Sequence, residues 1–357
     1  MAAYTTIDDP SAYFQTALYT GNGSTQNITN DGNSDLKPDL VWTKCRSGAS
    51  HHTNVDSSRG AGIQFYPNLA NAEETVSGVS AFLTDGFSLG NNGTANSDGA
   101  TYVAWQWKAN AGTTVSVTES GNNPGGTHQA NTTSGFSIVT YTGTGATGTV
   151  THGLGVAPNM ILVRNRDVGD PWAVYYGDAT DYLVLNDTAA TVDNAAWWND
   201  TAPSSTVFTV STDHSVNADG EDYSAYCFAE KQGFSKFGSY VGNGNADGAF
   251  VYLGFAPAWL LIKRFDAGAT NWNLYDNKRE SSGGGFAAGQ DASRRLFPNN
   301  TEAESANTVA DEMQFTSNGF KLRGTQGSLN GSGNEFIYMA FAESSFVTST
   351  GTPATAR

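Results

Sequence analysis

Two short phrases carry the clearest opportunity for chemistry: "NVDSSRG" at Asn54–Gly60 and "LYDNKR" at Leu274–Arg279. Each sets an aspartate three residues before an arginine, Asp56 with Arg59 and Asp276 with Arg279, a spacing that suits an ion pair across a tight turn. Such pairs either line a polar ligand site or fix a loop over a sheet, and the spacing alone leaves both readings open. His51 and His52 precede the first phrase and raise a metal site or a hydrolase pair. No further ligand is spaced to complete a shell, so a solvated loop is expected there. Glu73 and Glu74 are adjacent, so on a strand they point to opposite faces, unlike the paired carboxylates of a glycosidase. "DGNSD" at Asp31–Asp35 and "NGNADG" at Asn243–Gly248 alternate oxygen-bearing side chains as calcium loops do. Trp42 and Gly254 stand where the twelfth-position glutamate belongs, and turn chemistry is the reading taken.

Trp197 and Trp198, in "DNAAWWNDTAP", are adjacent among turn formers. At least one ring is therefore expected at a surface, against a neighbouring subunit or stacked on a sugar. The binding candidates are Trp197, Trp198, Asp56, Arg59, Asp276 and Arg279. No catalytic residue, metal or cofactor is expected.

The elements that position these residues repeat. "YTGNG" at Tyr19, "YTGTG" at Tyr141 and "YVGNG" at Tyr240 each open a segment. A proline then heads an apolar run ending in a cation: Pro38 to Lys44, Pro158 to Arg164, Pro257 to Lys263. Such a run suits a strand buried on both faces. "FLTDGFSL" from Phe82 rhymes with "FTSNGFKL" from Phe315, and Asp-Gly or Asn-Gly between aromatics signals a hairpin. Each segment closes on a glycine, Gly99, Gly220 or Gly333, with an aromatic three residues later and another eight later. The closing strand is expected beside the opening one.

These landmarks predict an all-β chain of three tandem jelly-roll-like antiparallel β-sandwich repeats. The boundaries expected are an arm over 1–12, repeats over 13–108, 135–230 and 231–343, a linker over 109–134 and a tail over 344–357. Only "KQG" separates the second and third repeats, so those two are expected to form a rigid pair. The second repeat lacks the Asp-x-x-Arg phrase and reads "VYYGDATDYLVLN" from Val174. If that phrase served a ligand, the second repeat has lost it.

Composition excludes other classes. With 18 Lys plus Arg against 34 Asp plus Glu, the net charge of −16 disfavours a nucleic-acid partner. The opening "MAAYTTIDDP" has no basic region before an apolar core, so no signal peptide is expected, and no apolar run is long enough to cross a membrane. Cys45 and Cys227 lie far apart and are expected as buried free thiols.

"YTTIDDPSAYFQTALYTGNGS", "YVAWQWKA", "YCFAEKQGFSKFGSYVGNGNADG" and "IYMAFAESSF" resemble repeated virion proteins of tailed phages, marine ones especially. The resemblance covers nearly the whole chain. It implies a non-enzymatic virion protein, made in the host bacterial cytoplasm, with repeats similar to concanavalin-type jelly rolls. It further implies a tail fibre or exterior appendage, lectin-like in contacting a host-surface glycan, partnered by other virion proteins and homotrimeric by analogy. The alternatives are a capsid decoration or cement protein and, third, a carbohydrate-active depolymerase.

Overall fold

A computed structural model of the chain describes residues 3–279, 294–306 and 313–353. The ends of the expected arm and tail, and two stretches of the expected third repeat, lie outside the described residues. The fold is all-β, built of antiparallel sheets with three single-turn α-helices and one 3-10 turn among the described residues.

One strand order recurs in three segments, here called units. The opening strands are Phe14–Thr20, Phe136–Thr142 and Ser235–Val241. Each pairs with its unit's closing strand: Thr101–Trp107, Asp222–Phe228 and Glu335–Ser345. Beside the closing strand lies the proline-headed run, Leu40–Cys45, Met160–Asn165 or Phe255–Arg264, and beyond that His52–Asp56, Ala173–Tyr175 or Asn273–Asp276. Smaller sheets, including the pair Gly148–Thr151 with Val207–Val210, cover one face of each large sheet.

The registers explain the repeated aromatics. In each pair the opening tyrosine lies opposite the aromatic three residues after the closing glycine: Tyr19 with Tyr102, Tyr141 with Tyr223, Tyr240 with Phe336. The rings stack at centroid separations of 5.1, 5.0 and 4.9 Å. The aromatics eight residues after the glycines, Trp107, Phe228 and Phe341, meet one another, with centroids 6.4, 5.9 and 5.7 Å apart. They form a triangle where the three units converge.

That convergence explains why the apolar runs are buried on both faces. Leu40 and Trp42, like Met160 and Leu162, point into a core shared by all three units. The alternate residues, Val41 in one run and Ile161 and Val163 in the other, point into their own unit's sandwich. Side chains alternate across a strand, so a period-2 apolar run serves two cores at once. The second and third units do not form a separate pair; the first packs on both.

The segment 109–134, expected as a linker, contains the strands Val115–Val117 and Gly126–Asn131, and the latter lies along the second unit's opening strand. Backbone hydrogen bonds to a strand on each side hold Gly126–Asn131 more than buried side chains do, so its polar Thr, Gln and Asn gave no apolar signal. Residues 3–12 fold back as well: Ile7 is buried in the shared core and the Tyr4 hydroxyl donates to the Gly254 carbonyl at 2.9 Å.

Candidate functional site

Polar side chains with chemical potential gather at the junctions between units. One loop of each unit lies on the proline-headed run of another, in the cyclic order first on second, second on third, third on first. The backbone contact recurs three times: Glu73 N–H to Arg166 C=O at 2.9 Å, Thr191 N–H to Phe265 C=O at 3.0 Å, Glu304 N–H to Arg46 C=O at 2.9 Å. The cation ending each run donates to a carbonyl of the same loop. Lys44 Nζ reaches Thr301 at 3.3 Å, Lys263 Nζ reaches Thr188 at 3.2 Å, and Arg164 binds Asn71. Burial draws Lys44 and Lys263 down to about 8.

A ring nitrogen completes each junction. Trp172 Nε1 donates to Tyr66 C=O at 3.1 Å and Trp272 Nε1 to Val184 C=O at 2.9 Å. In the first unit the place belongs to His52. Its Nδ1 accepts from Trp42 Nε1 at 3.0 Å, which leaves Nε2 to carry the proton and donate to Phe297 C=O at 3.0 Å. Burial, then the charge of Lys44, hold its pKa well below the ordinary histidine value. The solvated loop expected at His51 and His52 is therefore corrected for His52, which is fully buried.

Asp56 and Arg59 pair at 2.6 Å with both side chains fully buried, and Asp276 and Arg279 pair at 2.5 Å in the same way. Both pairs reach into the next unit. The Tyr226 hydroxyl donates to Asp56 at 2.7 Å, and Trp105 Nε1 donates to Asp276 at 2.9 Å. Burial opposes the Arg59 charge, but the Asp56 carboxylate outweighs it and the pKa stands above its ordinary value. Each arginine also meets a glutamate that bridges the junction. Glu73 takes two bonds from Arg166, at 3.0 and 2.9 Å, and Glu304 two from Arg46, at 2.8 and 3.0 Å. Burial resists the Glu304 charge, yet the Arg46 hydrogen bond and the nearby Arg279 hold its carboxyl below the ordinary range.

The second unit departs from this pattern for a physical reason. Strand register puts Tyr176 where Asp56 and Asp276 stand, and Met339 where Tyr226 and Trp105 stand. Met339 has no proton to give, so a buried carboxylate facing it would lack a donor. Tyr176 instead packs on Phe265, centroids 5.7 Å apart, and shares hydrogen bonds with Asp181 and Thr191. Asp-x-x-Arg occurs where the facing closing strand offers a donor and is missing where it does not.

Residues 9–345 match the family described as "Domain of unknown function (DUF7483)". The chain belongs to that family. No curated protein and no solved structure matches it. The match to DUF7483 spans all three junctions, from the opening strand of the first unit to the end of the last closing strand.

Among the described residues of this DUF7483 chain no group of three His, Cys, Asp or Glu side chains is placed to hold a metal ion. In the Asn243–Gly248 turn, Asp247 is bound by Lys321 at 2.5 Å, and Asn243 and Asn245 cap backbone N–H groups of the turn. Trp197 and Trp198 require a correction: both are buried, at 4% and 1% exposure. They lie on the helical turn Ala195–Trp198, capped by Asn194, where successive residues diverge by ~100° rather than 180°. Trp197 stacks on Tyr182 at 3.6 Å and Trp198 meets Tyr175 edge-on. The surface expectation fails because the turn formers around them cap a helix rather than break a strand.

Three asparagines escaped the sequence reading. Asn96, Asn217 and Asn330 are buried, and each accepts one backbone N–H and donates to carbonyls of the Gly-rich turn after the opening tyrosine and of the preceding loop. The signal was present, as each stands three residues before a closing glycine.

Proposed function

We propose that this chain is a non-enzymatic structural protein of a phage virion, displayed at the exterior as a tail fibre or similar appendage that contacts the host surface. One observation supports the non-enzymatic part: Asp56, Arg59, Asp276, Arg279, His52 and Glu304, the side chains with the most chemical potential, are committed to junctions between units. The virion assignment rests on the sequence resemblance in the aromatic segments. The junctions are filled within one chain, so homotrimer assembly with other virion proteins would use surfaces outside them.

A second reading, a capsid decoration or cement protein, is favoured by the internal triangle of Trp107, Phe228 and Phe341, because a chain with threefold pseudosymmetry matches a local threefold of a shell. Electron microscopy of particles with a labelled antibody separates the readings. Label on tail appendages is expected; label on capsid faces with bare tails moves the assignment to the second reading, and particles without label overturn both.

A further inference from the structure

The outer face of the third unit's smaller sheet, built from Phe250–Tyr252, Gly319–Leu322 and Met313–Thr316, differs from its counterparts in the other units. Val251 lies opposite Phe320 as Ile28 lies opposite Phe87 and Val150 opposite Phe208. The outward positions flanking these residues are Asn27 and Thr29 in the first unit and Thr149 and Thr151 in the second. In the third they are Phe250 and Tyr252, each 48% exposed. Lys321, directly opposite Phe250, replaces Ser88 and Thr209. The same scaffold is thus polar and neutral twice, and aromatic and cationic once.

The aromatic pair lies on alternate strand positions, about 7 Å apart. Phe250 lies against Gly319: its ring tip is 3.2 Å from where a Gly319 Cβ would stand, so the ring rests low on the sheet. Cations border it. Lys236 Nζ is 5.4 Å from the Tyr252 ring centroid, Lys321 and Arg323 both reach the Asp247 carboxylate, at 2.5 and 3.5 Å, and Arg323 also donates to Gln314 Oε1 at 3.0 and 2.6 Å. Seven of the chain's 18 cations (Lys44, Arg46, Arg59, Arg164, Arg166, Lys263 and Arg279) are committed to the junctions, so a cationic surface in a chain of charge −16 is a local departure.

We propose that this face binds an acidic polysaccharide, with Phe250 and Tyr252 stacking on the apolar faces of sugar rings and Lys321 and Arg323 meeting uronate carboxylates. Face area decides against a protein partner. Three strands about 4.8 Å apart and about four residues long present roughly 200 Å², far below the ~800 Å² per partner of a stable protein interface. Stacking on aromatic faces and charge-assisted hydrogen bonds to carboxylates both act over a patch of that size. The proposal deepens the host-contact reading above and rests on it for its biological setting, though not for its chemistry.

The test is affinity electrophoresis of the full chain in native gels cast with polygalacturonate or, in parallel, neutral dextran, at ~0.15 M salt, where exposed charges interact only at close range. Retardation by polygalacturonate and none by dextran is expected. Phe250→Asn with Tyr252→Thr, the residues the first unit carries there, should weaken binding at least about tenfold. Lys321→Ser should weaken it less and flatten its salt dependence. No retardation of the native chain, equal retardation by dextran, or undiminished binding by the double variant overturns the proposal. So does concentration-dependent self-association in sedimentation that the double variant abolishes, which would make the face a contact between copies. Failure here with label still on the particle exterior removes only the glycan site; glycan binding with unlabelled particles removes only the virion assignment.

Discussion

The buried Asp56–Arg59 pair allows a quantitative test of the junction between the first and second units. Replacing Arg59 with methionine keeps much of the volume over Phe65, whose ring centroid is 3.8 Å from the guanidinium carbon, but strands the Asp56 carboxylate with no countercharge. Breaking a buried pair from one side costs about 3–5 kcal/mol, because the remaining charge is desolvated without compensation. At ~2.1 cal/mol/K per residue, a 357-residue chain has an unfolding entropy near 0.75 kcal/mol/K, so the expected fall in melting temperature is about 4–7 °C. The pair should nonetheless be removable as a set. Asp56→Tyr, Arg59→Ala and Tyr226→Met together copy Tyr176, Ala179 and Met339 of the junction that has no ion pair. Two charges leave the interior at once and the tyrosine volume moves across the junction, so the triple variant should lose less than half of what Arg59→Met loses. Differential scanning calorimetry gives the melting temperatures, and near-UV circular dichroism reports whether aromatic packing survives. A shift below about 1 °C for Arg59→Met would mean that the pair does not hold the junction. A triple variant less stable than the single one would refute the proposed link between aspartate and donor.

Three further outcomes follow from the same contacts. His52, His128 and His152 all have pKa values lowered first by burial, so the unfolded chain takes up protons that the folded chain refuses as pH falls below about 6.5. Stability should fall below pH 6.5, by up to about 1.4 kcal/mol per pH unit for fully buried His52 and by less for the less deeply buried His128 and His152, and should rise somewhat above pH 7 as Lys44 and Lys263 shed protons that the unfolded chain keeps; an unchanged urea midpoint between pH 7 and pH 5 would contradict this. Trp197→Ala should cost about 3–5 kcal/mol of stability, as a stacked core ring does, and leave polygalacturonate retardation unchanged; an adhesive defect without destabilisation would restore the surface reading. Cys45 and Cys227 are buried free thiols, and burial pushes the Cys227 thiol well up. Neither should react with a thiol reagent at pH 7.5 until denaturant is added, and stoichiometric labelling of the native chain would be the contrary result.

What was legible in the sequence was local. The closing glycine with its two aromatics gave the pairing of opening and closing strands, because stacked pairs such as Tyr19 and Tyr102 must meet in register. The proline-headed runs gave strands buried on both faces, without showing what covered the second face. That information lies in contacts between residues about 75 to 260 positions apart, such as Lys263 with Thr188 or Lys44 with Thr301, and no local pattern encodes them. The polar strand Gly126–Asn131 was missed because its pairing is made by backbone groups that every residue carries. Trp197 and Trp198 were misread because Asn194 and Asn199 mark a capped helical turn as readily as a loop.

The absence of Asp-x-x-Arg from the second unit has two explanations with different consequences. A ligand-binding phrase lost from one copy would leave the residue facing it free to be anything, since the ligand alone imposed the constraint. A junction phrase must change together with its partner, because an aspartate without a donor and a donor without an aspartate are each penalised when buried. The chain follows the second rule at every position that can be compared. Tyr226 and Trp105 donate to aspartates, Met339 holds their register position in the unit against which Tyr176 replaces the aspartate, and Phe265 stands against that tyrosine where Arg46 and Arg166 stand against glutamates. Each departure of the second unit's donating side is matched on the third unit's receiving side, more than 80 residues away in the chain. Copies free to diverge would not keep such matching unless the three faces had to close on one another, so the ion pairs are read as parts of the assembly and the search for a ligand moves to the outer face, where Phe250 and Tyr252 have no counterpart.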